Sequence, residues 1–289
     1  MTDSFTPPII AAGPGIGVVP PAFAIIVAVI VSLWRYRSFI LKNAASDIRY
    51  RYAGSAAGVL WHVISPLAQI LIYTLVFSQL MELRLPGSVA VGAFALYLCA
   101  GILPWAAFSD CVLRGANAFI DNATYLKKLP IPEQVFVAQT AVTATLSLGV
   151  SMALLFLVSL VIGGAVSASW LGVPVVLVLL QGFGFGLGLI GSTLNVFLRD
   201  IGQALTIGLQ LWMWVTPIVY VEQILPAGLQ ALVAYNPAYP FIDALHRMVV
   251  LGAWPPVWEW PAMCAWAVVT PLIGYLVLRR LRPEIRDAI

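Results

Sequence analysis

The glycine run from Gly182 to Gly188 is the segment that most resembles a cofactor-binding motif. Its alternating glycines are similar to the dinucleotide fingerprint, in which glycines let the backbone approach a pyrophosphate. That fingerprint follows a strand, whereas this run lies inside a long apolar segment. The Gly182/Gly186 and Gly184/Gly188 spacings are typical of close helix packing. The run therefore predicts a contact between helices rather than a cofactor site.

The other residues that could do chemistry are scattered. His62 and His246 stand alone, and the sequence contains no GxxxxGK[ST] loop, HExxH motif, nucleophile elbow or paired carboxylates. The 3 cysteines lie in or near apolar runs without metal-ligand spacing, which indicates buried small side chains. Asp110 and Arg114 are four residues apart, as in a local ion pair on a helix. We expect the chain to catalyse no reaction itself and to bind no metal.

Long charge-free runs dominate the sequence. Hydrophobic residues make up 61% and charged residues 9%, against roughly 25% charged residues in soluble domains. A bilayer core requires roughly 20 apolar residues per helix. The runs therefore predict an all-α integral membrane protein with a six-helix transmembrane domain over 57–282, whose spans are about 57–81, 88–113, 134–162, 170–196, 202–221 and 259–279.

The basic residues orient these spans. If both termini are cytoplasmic, 13 of the 15 Lys and Arg residues lie on the inner face, as the positive-inside rule requires. Arg84 and Arg247 are the two on the outer face, and residues 283–289 form a cytoplasmic tail. The net charge of +3 therefore reflects topology, and no nucleic-acid partner is expected.

The N-terminal region permits two arrangements. Residues 1–21 are rich in Pro and Gly and predict a flexible tail. Residues 22–56 contain a short apolar stretch, 22–34, followed by a basic amphipathic helix at the membrane interface. The apolar stretch either lies on the membrane surface or forms a seventh span that places Met1 outside. We expect the surface arrangement, because the stretch is short and follows two prolines.

Two irregular segments interrupt the spans. On the inner side, an amphipathic stretch from Phe119 to Leu129 is closed by Pro130. This stretch is either a membrane-surface helix or a docking helix for a cytoplasmic partner. On the outer side, residues 222–256 are mostly apolar but broken by four prolines. That pattern predicts short helices that re-enter the outer leaflet or cap the bundle.

Five motifs in this order resemble the membrane subunits of bacterial ABC exporters for polysaccharides and polyol phosphates. Members of that family include the O-antigen and teichoic acid export permeases, with capsule exporters as relatives. The motifs are DIRYRYAGSAAGVLWHVISPLAQILIYTLVFS, GILPWAAFSDCVLRGANAFIDNATYLKKLPIPEQV, STLNVFLRDIGQ, LWMWVTPIVY and YNPAYPFIDALHRMVV. The resemblance covers about residues 33–282.

The resemblance implies a homodimer in the cytoplasmic (inner) membrane, paired with two copies of a separate ATPase. ATP and Mg would be bound by that partner, so this chain would bind no cofactor. The substrate implied is a lipid-linked polysaccharide of the O-antigen type, with teichoic acid, capsule or a smaller lipid or drug as alternatives. The inner segment would be the coupling helix that seats in the ATPase, with its contact at Asn122, Tyr125, Leu126, Lys127, Lys128 and Pro130.

The resemblance also implies that spans one and five line the conduit between the two copies. A sugar chain offers C–H groups and hydroxyls, which aromatic faces and amides can contact without strong binding. The candidates for this substrate path are Trp61, Gln69, Tyr73, Phe77, Gln210, Trp212, Trp214 and Tyr220. The same aromatic side chains also suit simple anchoring at the membrane interface.

Two other function classes fit the residues less well. A membrane-embedded glycosyl- or phosphotransferase would need acidic residues at one site, but Asp110, Asp200 and Asp243 fall on different faces of the predicted membrane domain. An ion-coupled transporter would place an ionisable group near the midplane of the bilayer. The predicted spans contain no such group at that depth.

Overall fold

A computed structural model of the chain describes residues 22–51, 53–76, 92–162, 164, 166–222 and 225–288. Within these ranges the protein consists of helices and turns, with no strand. The predicted all-α class is confirmed for this part of the chain. The helices are α1 (Ala22–Arg35), α2 (Arg37–Tyr50), α3 (Trp61–Thr74), α4 (Ala93–Asp121), α5 (Ala123–Lys128), α6 (Gln134–Ile162), α7 (Val173–Asn195), α8 (Ile201–Val215), α9 (Ala227–Ala234), α10 (Tyr239–His246) and α11 (Glu259–Ala288).

Four helical segments are long and apolar enough to cross a membrane: Ala93–Asp121, Gln134–Ile162, Ala168–Asn195 and Glu259–Ile285. At about 1.5 Å per residue, each exceeds the roughly 30 Å of a bilayer's hydrocarbon core. The first and fifth predicted spans correspond to α3 and α8, which are shorter at 14 and 15 residues. The continuation of α3 lies outside the described residues, so the count of six spans stays a prediction. We call the end of the bundle that carries α5 the inner end.

Helix α7 lies at the centre of the bundle, between α4 and α11. A Cβ atom on Gly186 would lie 2.4 Å from the backbone of Thr270 and Pro271 in α11. On the other side of α7, a Cβ atom on Gly188 would lie 3.2 Å from the Cα atom of Gly115 in α4. The predicted packing role of the glycine run is confirmed, because only glycine permits these helix backbones to approach so closely.

The outer part of the core is aromatic. The Phe183 ring of α7 stacks on Phe241 of α10, with ring centroids 5.7 Å apart, and meets the edge of Trp212 of α8. Helices α9 and α10 have eight residues each, and a π-helical turn, Arg247–Leu251, follows. Each is only about 12 Å long, as expected of helices that do not span the membrane. The aromatic contacts attach α10 to the long helices.

Both N-terminal helices contact long helices of the bundle. Ile25 and Val29 of α1 are buried, and α1 faces Ala267 and Pro271 in the interior of α11. At 14 residues, α1 is too short to be counted with the four long apolar helices, and its position relative to the membrane stays a prediction. Helix α2 instead packs against the start of α6, where the Phe39 and Phe136 rings meet edge to face at 6.1 Å.

Candidate partner-docking segment and substrate path

The chain changes direction sharply after α4, and the residues that follow form most of the inner segment. Asn122 donates its side-chain amide to the Ala118 carbonyl at 2.8 Å, which satisfies the end of α4. Helix α5 then runs for six residues and ends at Leu129, whose backbone is extended. Pro130 follows, and a residue before proline is disfavoured in the helical conformation. The result is a short helix held across the inner end of the bundle.

The two faces of α5 differ sharply in exposure. Leu126 is 8% exposed and packs in the apolar cluster that contains Phe119 and Phe136. Tyr125 is 56% exposed, and Lys127 and Lys128 are also exposed. Leu126 therefore anchors the helix in this conformation, and its predicted contact with the ATPase stays a prediction. The outward face offers one aromatic ring and two cations to a partner.

The C-terminal side of the inner segment (residues 119–130, called the docking segment below) is tied to two other elements. The Tyr36 hydroxyl donates to the Pro130 carbonyl at 3.4 Å, next to the junction of α1 and α2. Glu133 is almost fully buried and forms an ion pair with Arg282 of α11. The Glu133 side chain is 4% exposed but that of Arg282 is 40% exposed, so solvent screens the pair in part. We expect it to restrain the segment relative to α11. A displacement of α5 would therefore also displace the long helices.

A group of ion pairs attaches α2 to the inner half of α4. Arg114 contacts Asp47 of α2 and lies 3.6 Å from Asp110, one turn earlier in α4. Arg51 lies 3.3 Å from the same Asp110 carboxylate. The local Asp110–Arg114 pair predicted from spacing is confirmed. Because all four side chains are partly exposed, each pair contributes modestly, at about 0–1 kcal/mol.

The described path candidates on α3 share a polar and aromatic face. Trp61 and Gln69 line a cavity of about 260 Å³ between α3, α4 and α6, together with Arg51, His62 and Asp110. Gln69 donates its amide to the Tyr73 hydroxyl at 3.2 Å. Phe77, the fourth candidate in this span, lies outside the described residues. Gln69 therefore contacts Tyr73 and also lines the cavity with Trp61, and this cavity lies within one copy of the chain.

The path candidates on α8 separate onto opposite faces. Trp212 is turned into the core, where its indole N–H donates to the Asn236 amide oxygen at 2.7 Å and its ring contacts Phe108. Trp214 and Gln210 are exposed on the other side of α8. Tyr220 is half-buried, and its hydroxyl donates to the Trp214 carbonyl at 3.0 Å. Residues two apart on a helix do not share a face, which explains why the two tryptophans differ.

Sequence reasoning did not predict a polar cavity of about 360 Å³ near the start of α4. It is lined by Tyr97 of α4, Glu222 after α8, and Tyr239, Asp243 and His246 of α10. Tyr97 lies 149 residues before His246, so no local pattern connects them. The one signal in the sequence was the four-residue spacing of Asp243 and Arg247, which do form an ion pair. The described residues contain no group of His, Cys, Asp and Glu arranged to hold a metal ion.

The chain matches the family model described as "ABC-2 type transporter" over residues 40–249. The match begins within α2 and ends in the π-helical turn after α10. It therefore contains the docking segment, both predicted path helices and the polar cavity. Helix α1 lies before the matched region, and α11 lies after it.

Named relatives cover most of the chain. The O-antigen export system permease protein RfbA of Klebsiella pneumoniae is 30% identical over 207 residues, which are 71% of this chain and 78% of that protein. The protein of the same name from Myxococcus xanthus is 26% identical over 89% of this chain and 97% of its own length. The polysialic acid transport protein KpsM of Escherichia coli is 22% identical over 82% and 91%. The chain therefore belongs to the ABC-2 type transporter family and is a membrane-embedded permease subunit of a type-2 ABC exporter.

Proposed function

We propose that this permease moves a lipid-linked polysaccharide of the O-antigen type across the cytoplasmic membrane. It works as a homodimer with two copies of a separate ATPase, and both of its termini are cytoplasmic. The names of the relatives support the substrate class, because the proteins from Klebsiella and Myxococcus are named for O-antigen and the one from Escherichia coli for polysialic acid. All three substrates are glycans, so a glycan is the shared expectation for this chain.

The observation that carries this proposal is the form of the docking segment. Helix α5 presents Tyr125, Lys127 and Lys128 outward, while Leu126 and the Glu133–Arg282 ion pair hold it to the bundle. The exposed aromatic ring and the cations can form an interface with a partner protein. Because the helix is fixed to the bundle, a movement of the partner can displace the bundle. The sequence has no phosphate-binding loop of its own. ATP hydrolysis therefore belongs to the protein that docks on α5.

A second feature supports a glycan path along α8. Gln203, Thr206 and Gln210 are exposed and recur every three or four residues, which places them on one face of an otherwise apolar helix. Polar side chains that face lipid are unfavourable, so such a face is expected to meet a partner or a water-filled conduit. Amide and hydroxyl groups can exchange hydrogen bonds with successive sugar hydroxyls without strong binding. In the homodimer, this face would line the space between the copies.

Reconstitution tests the proposal. The permease and its partner ATPase are placed in vesicles that contain a fluorescent lipid-linked glycan, and exposure of the glycan on the far leaflet is measured with an impermeant glycan-modifying reagent. We expect ATP-dependent exposure only when both proteins are present, and no ATP hydrolysis by the permease alone. ATP-driven movement of a short-chain lipid without movement of the glycan would instead favour an exporter of smaller lipids or drugs.

A further inference from the structure

The polar cavity near the start of α4 lies where four elements of the chain meet. Its lining residues belong to α4, the segment after α8, and helix α10 with its π-helical turn. Glu259, in the first turn of α11, is fully buried near Asp243 and Arg247. We call these groups the outer cluster, which consists of Tyr97, Glu222, Tyr239, Asp243, His246, Arg247 and Glu259.

Tyr97 connects three elements through one side chain. Its hydroxyl lies 3.2 Å from the Pro217 carbonyl and 2.9 Å from the Tyr220 carbonyl, both in the segment that follows α8. Its ring stacks on the His246 imidazole of α10, with ring centroids 3.7 Å apart. Tyr97 itself is buried. A buried carbonyl without a donor costs free energy, so the Tyr97 hydroxyl stabilises this path of the chain.

A second contact holds α10 to the same segment. The Tyr239 hydroxyl donates to the Glu222 carboxylate at 2.6 Å. A hydrogen bond to an ionised acceptor is about twice as strong as one between neutral groups. Arg247 lies one turn from Asp243 and pairs with that carboxylate, whereas the Glu222 carboxylate accepts from the tyrosine hydroxyl. Two tyrosine hydroxyls therefore fasten the residues after α8 to α4 and to α10.

The first three residues of the segment that these hydroxyls fasten are buried, and the residues from 219 to 222 are half-buried. Helix α8 ends at Val215, and Thr216, Pro217 and Ile218 turn inward beneath Tyr97. Ile218 is fully buried against Gly101 of α4. Any outward movement of the far end of α8 must therefore withdraw these residues and separate the tyrosine hydroxyls from their acceptors. The tyrosine contacts are few and polar, so they can break and reform, whereas Trp212 keeps the preceding turn of α8 packed against Phe108 and Phe183.

We propose that Tyr97 and Tyr239 form a latch that holds the outer end of the α8 path shut between transport cycles. This inference rests on the proposed function, because it takes α8 to border the conduit. The two hydroxyls act by positioning the segment 216–222 and do not need to touch the substrate. Opening requires both hydrogen bonds to break, and closing restores them without any further ligand.

The latch is tested by removing the hydroxyls alone. A cysteine is placed at the buried position 218 (Ile218→Cys) in a chain whose three native cysteines are replaced by serine or alanine. Its labelling by an impermeant maleimide added on the outer side reports opening. We expect Tyr97→Phe to raise the labelling rate about fivefold, since one net hydrogen bond is worth roughly that factor, and the double variant with Tyr239→Phe to raise it further.

Tyr235→Phe is the matched control, because Tyr235 is 85% exposed in the same outer segment. Its labelling rate should equal that of the parent protein. Glu222→Gln is a second way to weaken the latch, because it removes the negative charge that the Tyr239 hydroxyl contacts while keeping a side chain of similar shape. Equal labelling in Tyr97→Phe, Tyr239→Phe and the control would overturn the latch.

Labelling needs neither ATPase nor glycan, so the latch and the proposed function can fail separately. Unchanged labelling together with normal ATP-driven glycan export would refute the latch alone. Faster labelling in the two variants, in a protein that moves no glycan, would support the latch and refute the substrate assignment. Thermal melting of each variant is measured in parallel, and Leu126→Ala, which destabilises the inner end of the bundle, controls for general loss of stability. A rise in labelling in the tyrosine variants but not in Leu126→Ala supports the latch, and an equal rise in all of them refutes it.

Discussion

Tyr125 and Leu126 are neighbours in α5, yet the structure predicts opposite consequences for their removal. Tyr125 is more than half exposed, so replacing it with alanine should change the free energy of unfolding by no more than about 0.5 kcal/mol. Leu126 is buried in the cluster with Phe119 and Phe136. Leu126→Ala would leave a cavity there and should cost about 2–3 kcal/mol, near the lower end for buried leucines, because the cluster lies at the edge of the bundle.

The same pair should behave in the reverse way when the ATPase binds. Truncation of an exposed aromatic side chain at the centre of an interface typically costs more than about 1 kcal/mol and often about 2 kcal/mol. That loss corresponds to a dissociation constant roughly five- to thirtyfold higher. We therefore expect Tyr125→Ala to weaken ATPase binding by about tenfold while its melting temperature stays at the parent value. Leu126→Ala should instead lower the melting temperature, and any weaker binding of the ATPase should follow from that loss of stability.

Both quantities can be measured on one preparation. The permease dimer is purified in lipid nanodiscs, its affinity for the immobilised ATPase is measured by interferometry, and its melting temperature is recorded from the same sample. Tyr235→Ala, at an exposed position in the outer segment, controls for loss of a surface tyrosine. Parent-like affinity in Tyr125→Ala would show that the ATPase docks elsewhere. A parent-like melting temperature in Leu126→Ala would refute the anchoring role.

Three further outcomes are expected. Gly186→Ala should abolish recovery of folded dimer in size-exclusion chromatography, whereas Gly208→Ala, with open space around its position, should leave recovery unchanged. Burial lowers the pKa of His246 to about 4, so the neutral ring stabilises the outer cluster above about pH 6.5, and this contribution is lost as the pH falls toward 4. Labelling of Ile218→Cys, divided at each pH by that of an exposed reference cysteine (Tyr235→Cys) to correct for the falling thiolate fraction, should rise from pH 7 to pH 5, and His246→Gln should remove that rise. Tyr73→Ala should reduce export of long glycan chains more than short ones in gel profiles, at unchanged ATPase binding.

Several properties of this protein follow from the sequence alone because they depend on local composition. A helix in lipid must satisfy its own backbone and exclude charge, so the charge-free runs are sufficient to predict long apolar helices. The spacing of Gly182 and Gly186 likewise predicts close packing, since residues four apart share one helix face. Asp110 and Arg114 predict an ion pair for the same reason. Each of these inferences needs only one helix and its period.

Tertiary structure decides the direction in which individual side chains point and which distant residues meet. Helix α6 is apolar on every side, so its sequence carries no preferred face from which its neighbours could be inferred. The inward turn of Trp212, the burial of Leu126 and the packing of α1 against α11 all depend on how helices are arranged around one another. The contact between Tyr97 and His246 joins residues far apart in the chain. Local periodicity cannot specify such pairs, because the positions of several helices together determine them.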